Sequence, residues 1–500
     1  MKLTVASENP AQISADVLVL NVFEGENPTR GALAALDQEL NGLIGRVAAL
    51  DNLPTKLYQT MLLPTSGSVA APRLLLIGCG KRVEFDSVRL HRLASAAVRA
   101  AERLKVSSVA LRIAGGPNGR IAGEAVASGA HVATLDLGDY KTKPDEARRE
   151  IAEVKVLPPD GEGGEYAEGV RRGSIIGEAI NLARHLAQAP GNILTPQRLA
   201  EHAQSAGQRA GFTVEVLDRS QMEQLGMNAL LGVAQGSEQP PAMIVMRHNG
   251  RPGTSVDLAL IGKGVTFDTG GISIKGASDM HLMKEDMAGA AATVAAMQAI
   301  AQLRVSANVL GLIPAVENMP SGHAMRPGDV LKAMNGKTIE VLNTDAEGRI
   351  ILADAVAYAQ HLGAKKLIDA ATLTGAVVVA LGGQAAAVLG TSDEWIGRVR
   401  SAADQAGERV WPLPLWEEYL EQLRSDVADV ANVGGRAAGT ITGAMFIRQF
   451  VDPGVEWAHL DIAGVAWTER EAPYLPKGPT GIPTRLFVRL AEDVASSGGK

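Results

Sequence analysis

The segment from residue 261 to residue 275 holds three charged side chains in a glycine-rich stretch directly after a predicted strand. Lys263, Asp268 and Lys275 stand among apolar residues and four glycines, which allow the backbone to bend closely around a small ligand. A phosphate-binding loop is one interpretation. However, the segment lacks the GxxxxGK(S/T) order, and an aspartate would repel a phosphate unless a metal lay between them. A glycine-rich turn with incidental charges is the other alternative.

Three further carboxylates stand in two later segments. Asp286 precedes a run of small helix-forming residues, where it could cap the helix. Because that helix carries no charge before Arg304, we expect it to be buried, and a carboxylate at its start would then need a cation. Asp345 and Glu347 are two residues apart, so in an extended segment they share one face. They would raise each other's pKa unless a cation held them ionised; a solvated acidic turn is the alternative.

The four carboxylates of Asp268, Asp286, Asp345 and Glu347 suit two divalent ions, which share bridging oxygens when they lie about 3.5–4 Å apart. Lys263 could also ligate a metal as the neutral amine, because a nearby dication lowers the pKa of an ammonium group. The HExxH metalloprotease motif is absent from the sequence. We therefore predict a two-metal site dominated by carboxylates.

The elements that must position these residues alternate between short β-branched or leucine-rich runs and alanine- or leucine-periodic stretches. This pattern predicts an α/β fold with two domains, each a mainly parallel sheet flanked by helices, the N-terminal one smaller. Ligands of such sheets bind beyond the carboxyl ends of the strands. The predicted strands are 16–23, 73–78, 107–113, 131–137, 213–217, 242–247, 257–262, 308–313, 339–342, 366–370 and 457–462. The predicted helices are 89–104, 288–302, 351–361 and 394–406.

The composition changes between Pro158 and Glu165, where prolines and glycines disfavour regular structure and acidic residues favour solvation. We therefore predict an N-terminal α/β domain over residues 1–160. A linker over 161–172 and a site-bearing domain over 173–500 would follow. The uncharged stretch 370–392 contains Gly382 and Gly383, which we interpret as a turn between two buried strands and not as part of a membrane span.

Charge and cysteine content narrow the functional class. Residues 1–155 carry 19 basic against 17 acidic residues, and the remainder carries 29 against 38; neither part has the basic excess of a general nucleic-acid binder. The single cysteine, Cys79, excludes an intrachain disulfide and fits a reducing compartment. The N-terminus lacks the apolar region of a secretory signal. We expect a soluble cytoplasmic protein that does not bind membranes.

Several ordered motifs resemble the leucyl aminopeptidase (cytosol aminopeptidase) family, in its bacterial form. NTDAEGR at 343–349 is similar to the family signature, and GKGVTFDTGGISIK at 262–275, MKEDMAGAA at 283–291 and DAATLTG at 369–375 match the family in the same order. The resemblance continues to HLDIAG at 459–464 and covers residues 175–490. It implies a metal-dependent aminopeptidase that hydrolyses N-terminal residues, mainly leucine and other apolar ones, from peptides with a free N-terminus.

The resemblance also implies a metal-binding role for individual residues. Two divalent ions per subunit, Mn2+ or Zn2+, would be bridged by Asp268 and Glu347. Lys263 and Asp286 would complete the tighter of the two sites. Asp345 would complete the more exchangeable one.

Two basic residues are implied as the catalytic groups. Lys275 would polarise the scissile carbonyl and stabilise the oxyanion, and Arg349 would hold a bicarbonate ion that acts as general base toward the bridging water. One departure from the family is Glu285, where relatives often carry an aromatic or apolar residue; it bears on side-chain preference. The residues implied to contact the substrate are Met283, Thr372, Leu373, Gly375 and Ala463.

Two other functions are compatible with parts of the sequence. A two-metal phosphoesterase is one, although phosphatase sites usually recruit histidines and these motifs offer only His281. A DNA-binding role, known in some bacterial relatives, is the other, but the first domain is only slightly basic and shows no helix-turn-helix pattern. The family also implies a homohexamer of two stacked trimers, for which the first domain would serve as an assembly element.

Overall fold

The computed structural model describes residues 1–27, 32–138, 140–142, 150–159 and 161–497. It divides into two compact units: Met1–Asn181 with Arg470–Lys477, and Leu182–Glu469 with the chain from Gly478 onward. Among the described residues, no helix is both long and apolar enough to cross a membrane.

The first unit contains a six-stranded sheet in the order β1-β6-β5-β2-β4-β3, parallel except for the β3–β4 pair. Its helices are α1 (Ala32–Glu39), α2 (Leu43–Ala48), α3 (Ser87–Glu102), α4 (Gly119–Ala133) and the start of α5 (Gly163–Gln188). Its strands are β1 (Lys2–Val5), β2 (Val17–Phe23), β3 (Thr60–Pro64), β4 (Arg73–Gly80), β5 (Ser108–Arg112) and β6 (Glu153–Val156).

Both faces of this sheet are buried, which explains why its central strands are continuously apolar. Along β2, Val17 and Val19 join one core cluster with residues of α3 and α4. The alternate residues Leu18 and Leu20 join a second cluster with residues of α1 and α2. Successive side chains of a strand point to opposite faces, so a single apolar run supplies both cores.

The second unit contains a nine-stranded mixed sheet in the order β16-β15-β18-β14-β9-β11-β8-β7, with β10 also paired to β11. The strands β18, β14, β9 and β11 are mutually parallel, as are β10 and β11. The strands of this sheet are β7 (Thr213–Leu217), β8 (Ala242–Asn249), β9 (Leu258–Gly262), β10 (Gly264–Asp268), β11 (Asn308–Asn318), β14 (Lys366–Ala371), β15 (Ala386–Gly390), β16 (Val410–Pro412) and β18 (Glu456–Asp461).

Helices pack on this sheet in two groups. One group contains α6, α9 and α14, and the other contains α8, α10 and α13; α9 and α10 each contact both β9 and β11. The helices are α6 (Pro196–Ala210), α7 (Arg219–Gln224), α8 (Asn228–Ala234), α9 (Ala288–Gln302), α10 (Glu347–His361), α11 (Gly375–Leu381), α12 (Asp393–Ala406), α13 (Gly439–Arg448) and α14 (Thr484–Ser497). Short sheets are formed by β12 (Val330–Lys332), β13 (Thr338–Glu340) and β17 (Val430–Ala431), and by β19 (Trp467–Thr468) with β20 (Gly478–Pro479).

The predicted fold class is confirmed: both units are α/β, and their sheets are mainly parallel. Two element predictions are wrong. The segment 131–137 is not a strand, because α4 continues to Ala133 and no strand follows it up to residue 138. The segment 370–392 does not turn directly from strand to strand, because α11 lies between β14 and β15.

The domain boundary remains a prediction. Residue 160, the predicted end of the first domain, lies outside the described residues. The segment 161–172, predicted as a linker, is helical from Gly163 onward as the first part of α5. The two compact units divide within this helix, at Asn181.

Candidate metal centre

The candidate site lies where the central strands of the larger sheet end. Lys263 stands between β9 and β10, and Asp268 is the last residue of β10. Because both strands run parallel to β11, their carboxyl ends lie at the same edge. Asp286 follows the 3-10 helix Met280–Glu285, and Glu347 is the first residue of α10. Residues from three separate motifs therefore meet at one edge, as predicted for ligands of α/β sheets.

Three carboxylates form the buried centre of this site. Asp268, Asp286 and Glu347 are 2%, 6% and 1% exposed. One ligand oxygen from each lies within 4.8 Å of the others. Burial raises the pKa of Asp286 well above its usual value, and burial together with Asp268 raises that of Glu347. Such a cluster is stable in ionised form only beside compensating positive charge.

Lys263 supplies one of these positive charges. Its Nζ lies 2.7 Å from Asp286 Oδ1 and 2.9 Å from Glu347 Oε1, and it donates to the carbonyl oxygen of Thr372 at 3.0 Å. Burial lowers the pKa of Lys263, but the attraction of Asp286 and the other carboxylates outweighs it, so the pKa is raised. A bound dication would act in the opposite direction and favour the neutral amine.

Lys275 links the buried cluster to Asp345. Its Nζ lies 2.8 Å from Asp268 Oδ2 and 2.5 Å from Asp345 Oδ1. Asn318, the last residue of β11, donates from Nδ2 to Asp268 Oδ1 at 2.8 Å and to the Thr344 carbonyl at 3.0 Å. This amide therefore holds the carboxylate of Asp268 against the backbone at Thr344, which belongs to a different motif. No sequence pattern around Asn318 indicated this role.

The predicted geometry of the Asp345 segment is only partly correct. Asp345 lies beyond β13, which belongs to the short three-stranded sheet and not to the main one. Glu347 already begins α10, so the two side chains are not on one face of an extended segment. Asp286 is likewise not a helix cap: the capping position of α9 is Met287, and Asp286 Oδ1 instead accepts from Thr372 Oγ1 at 2.7 Å.

The residues present fit divalent ions. Asp286 Oδ2 and Glu347 Oε2 are buried and have no hydrogen-bond donor among the described residues. Leaving such oxygens without a partner costs free energy, and a cation would satisfy both. Carboxylate oxygens with one lysine amine form a hard donor set, compatible with Mn2+ and Zn2+.

Arg349 adds a buried guanidinium on the first turn of α10. The residue is 7% exposed, and its Nη1 donates to the Asn432 carbonyl at 3.0 Å. Its Nε is buried without an acceptor among the described residues. Burial lowers the pKa of Arg349 to about 10, so the group is still protonated at neutral pH and has an unused donor.

A cavity of about 620 Å³ connects these groups. The loop after β14 forms one of its walls. This loop is held by the buried Asp461, whose carboxylate accepts from the Leu373 N–H at 3.1 Å and from Thr374 Oγ1 at 2.5 Å. All twelve residues predicted from the sequence line the cavity: Lys263, Asp268, Lys275, Met283, Asp286, Asp345, Glu347, Arg349, Thr372, Leu373, Gly375 and Ala463.

Other residues line the cavity without having been predicted as site residues. Glu285 is among them, although the sequence already showed its departure from the family. A second group comes from the segment after β17, which carries no ligand-type pattern beyond its glycines and one arginine. These additional lining residues are Glu285, Asn343, Ala346, Thr374, Val433, Gly434, Gly435, Arg436, Gly439 and Thr442.

Buried carboxylates beside two lysines at the carboxyl edge of the larger sheet form a candidate metal-binding site in an α/β chain. Residues 181–488 match the sequence model of the cytosol aminopeptidase family, catalytic domain, and residues 19–144 match that of its N-terminal domain. The chain therefore belongs to the cytosol aminopeptidase family. It is an aminopeptidase, a hydrolase that acts on peptide bonds.

Individual relatives agree over nearly the whole chain. The probable cytosol aminopeptidase of Solibacter usitatus is 46% identical and covers 99% of both chains. A solved structure of a mutant tomato leucine aminopeptidase is 33% identical, has a TM-score of 0.87 and covers 99% of this chain and 96% of its own. The bottromycin maturation enzyme BotP in complex with Mn is also 33% identical, with a TM-score of 0.83 over 96% of this chain and all of its own.

Proposed function

We propose that the protein removes the N-terminal residue, leucine or another mainly apolar one, from peptides with a free α-amine, using two divalent metal ions per subunit. The observation that carries this proposal is the convergence of Asp268, Asp286 and Glu347, with oxygens within 4.8 Å of one another. Asp345 approaches the same cluster through Lys275. The similar enzyme BotP was solved in complex with Mn, and we propose Mn2+ or Zn2+ as the ions of this chain.

The proposed ligand roles follow from these positions. Asp268 and Glu347 would bridge the two ions. Lys263 and Asp286 would complete the tighter site, and Asp345 the more exchangeable one. When bound, the two ions would lower the pKa of a shared water, polarise the scissile carbonyl and offer a coordination position to the substrate's α-amine. An internal peptide bond has no such amine, which would explain cleavage at the N-terminus only.

Two cations of the chain would assist the reaction. Lys275 would stabilise negative charge on the scissile carbonyl oxygen; attraction by Asp268 and its neighbours outweighs burial and raises its pKa, so it stays charged at neutral pH. Arg349 would hold a bicarbonate ion through its unused Nε–H and so position a general base. The substrate's first side chain would lie against Met283, Thr372 and Gly375, beside Leu373 and Ala463, which line the cavity.

The decisive experiment compares leucine p-nitroanilide with its N-acetylated form before and after removal of metal. We expect cleavage of the free amine only, loss of activity after exhaustive chelation, and recovery with Mn2+ or Zn2+. Equal turnover of blocked and free substrates would refute the exopeptidase assignment, and full activity after chelation would refute the metal requirement. Hydrolysis of p-nitrophenyl phosphate in preference to the anilide would favour a phosphoesterase instead.

Assembly and location belong to the same proposal. We infer a cytoplasmic homohexamer, in which residues 1–160 serve assembly, followed by a linker over 161–172 and a catalytic domain over 173–500. Sedimentation of the metal-loaded protein tests the hexamer, and a trimer or monomer as the only species would refute it. DNA binding is not part of the proposal, because the first domain is only slightly basic.

A further inference from the structure

Glu285 is an acidic residue of the cavity wall to which the proposed reaction assigns no role. It is the last residue of the 3-10 helix Met280–Glu285 and lines the same cavity as Met283, two residues earlier. Its Oε2 is buried and has no hydrogen-bond donor among the described residues.

Among the described residues, no lysine or arginine forms an ion pair with Glu285, although Lys284 acts on it electrostatically from the adjacent position. Lys284 places its Nζ over the ring of Trp467, 5.5 Å from the centroid. Lys263 and Lys275 lie against the carboxylates of the metal centre. Glu285 is also not one of the three residues whose oxygens form the metal-binding cluster. A carboxyl group in a partly buried wall without an ion-pair partner is stabilised in its ionised form when a positively charged ligand group binds beside it.

We propose that Glu285 recognises the positively charged side chain of an N-terminal lysine or arginine, so that the enzyme accepts basic as well as apolar residues. This inference rests on the proposed function, in which Met283 and Ala463 line the pocket for the first side chain. These apolar walls suit the aliphatic stem of a long basic side chain, since such stems pack on apolar surface while their charged ends reach a polar partner. A charge-assisted hydrogen bond to the carboxylate would fix that end.

The kinetic test measures kcat/KM for lysine, arginine, leucine and methionine p-nitroanilides. The proteins compared are the wild type, Glu285→Gln and the control Glu469→Gln. Glu469 is exposed, does not line the cavity, and lies close enough to Glu285 to interact electrostatically; its substitution therefore controls for charge in the neighbourhood. For Glu285→Gln we expect the lysine-to-leucine ratio of kcat/KM to fall about 10- to 100-fold, the range for loss of a hydrogen bond between charged groups. Glu469→Gln should keep the ratio of the wild type.

A binding measurement separates this inference from the proposed function. Calorimetry of the metal-loaded proteins with L-lysine and L-leucine should show weaker lysine binding in Glu285→Gln and similar leucine binding. Elemental analysis should find the same metal content in all three proteins; loss of metal in Glu285→Gln would assign the residue to the metal centre and overturn the inference. Unchanged ratios and affinities would also overturn it. A wild type that cleaves none of the anilides would refute the proposed function, and calorimetry alone would then decide the role of Glu285.

Discussion

Replacing Lys275 with alanine tests the electrostatic part of the proposed mechanism. The ammonium group of Lys275 lies 2.8 Å from Asp268 Oδ2 and 2.5 Å from Asp345 Oδ1. Its side chain is 23% exposed, so the group is accessible from the cavity. Burial lowers its pKa, but the attraction of Asp268 and the other carboxylates raises it overall. These carboxylates therefore favour the charged form of the lysine, and its replacement by alanine removes that charge from the cavity.

The size of the effect follows from the role proposed for this charge. Loss of one preorganised donor to a developing oxyanion typically costs about 2.7–4 kcal/mol, or roughly 10²- to 10³-fold in kcat. Because the interaction would strengthen only as charge develops on the carbonyl oxygen, KM should change much less than kcat. Metal binding should be nearly normal, since Lys275 itself is not a proposed ligand.

The assay measures kcat and KM on leucine p-nitroanilide together with the metal content of the same preparation. Lys284→Ala is the matched control, because it removes an ammonium nine residues away that lies over Trp467 and does not line the cavity. The control should retain activity within about threefold of the wild type, well short of the loss expected for an oxyanion donor. A Lys275→Ala enzyme with kcat near that of the wild type would refute the oxyanion role. A variant that has lost its metal would show that the lysine is structural.

Three further predictions concern the proposed metal centre and the stability of the fold. Glu347→Gln should reduce metal content, measured by elemental analysis, because the Oε2 of Glu347 is buried and has no donor among the described residues. Full metal occupancy in this variant would contradict the proposed bridging role. Gly348→Ala should weaken metal retention, because the added Cβ would lie 2.5 Å from Lys263 Cε and 2.7 Å from Lys263 Nζ. The control Gly276→Ala should retain metal like the wild type, because among the described residues nothing beyond its chain neighbours lies within 4 Å of a Cβ at that position. Burial raises the pKa of Glu408 to about 7, so the folded state holds this proton more tightly than the unfolded chain. The stabilisation by this bound proton should be present at acidic pH and lost as pH rises through about 7. Over that range the free energy of unfolding should fall by at most about 1.4 kcal/mol per pH unit. In urea unfolding at pH 5 to 8, the free energy of unfolding of Glu408→Gln should therefore depend less on pH than that of the wild type. The same pH dependence in both proteins would show that Glu408 is not its cause.

The sequence predicted most regular elements because their patterns are local. Strand 213–217 and helix 288–302 coincide with β7 and α9, since each carries a clear run of strand-forming or helix-forming residues. The errors occurred where local pattern and tertiary context differ. Residues 131–133 resemble the start of a strand, but they complete α4, which packs along α3. The stretch after β14 is apolar enough for a strand, yet Thr374 caps a short helix there by accepting from the Val377 N–H.

The sequence by itself determined the chemical identity of the site: four carboxylates, two lysines and an arginine in motifs of fixed order. Only the tertiary structure decided which of them are partners, because the parallel strands β9, β10 and β14 bring their carboxyl ends to one edge. The tertiary structure also decided which oxygen atoms remain available to bind a cation. Asp286, Glu347 and Glu285 each have a buried oxygen without a donor among the described residues, and this depends on neighbours that are distant in the chain. Residue spacing alone does not contain that information.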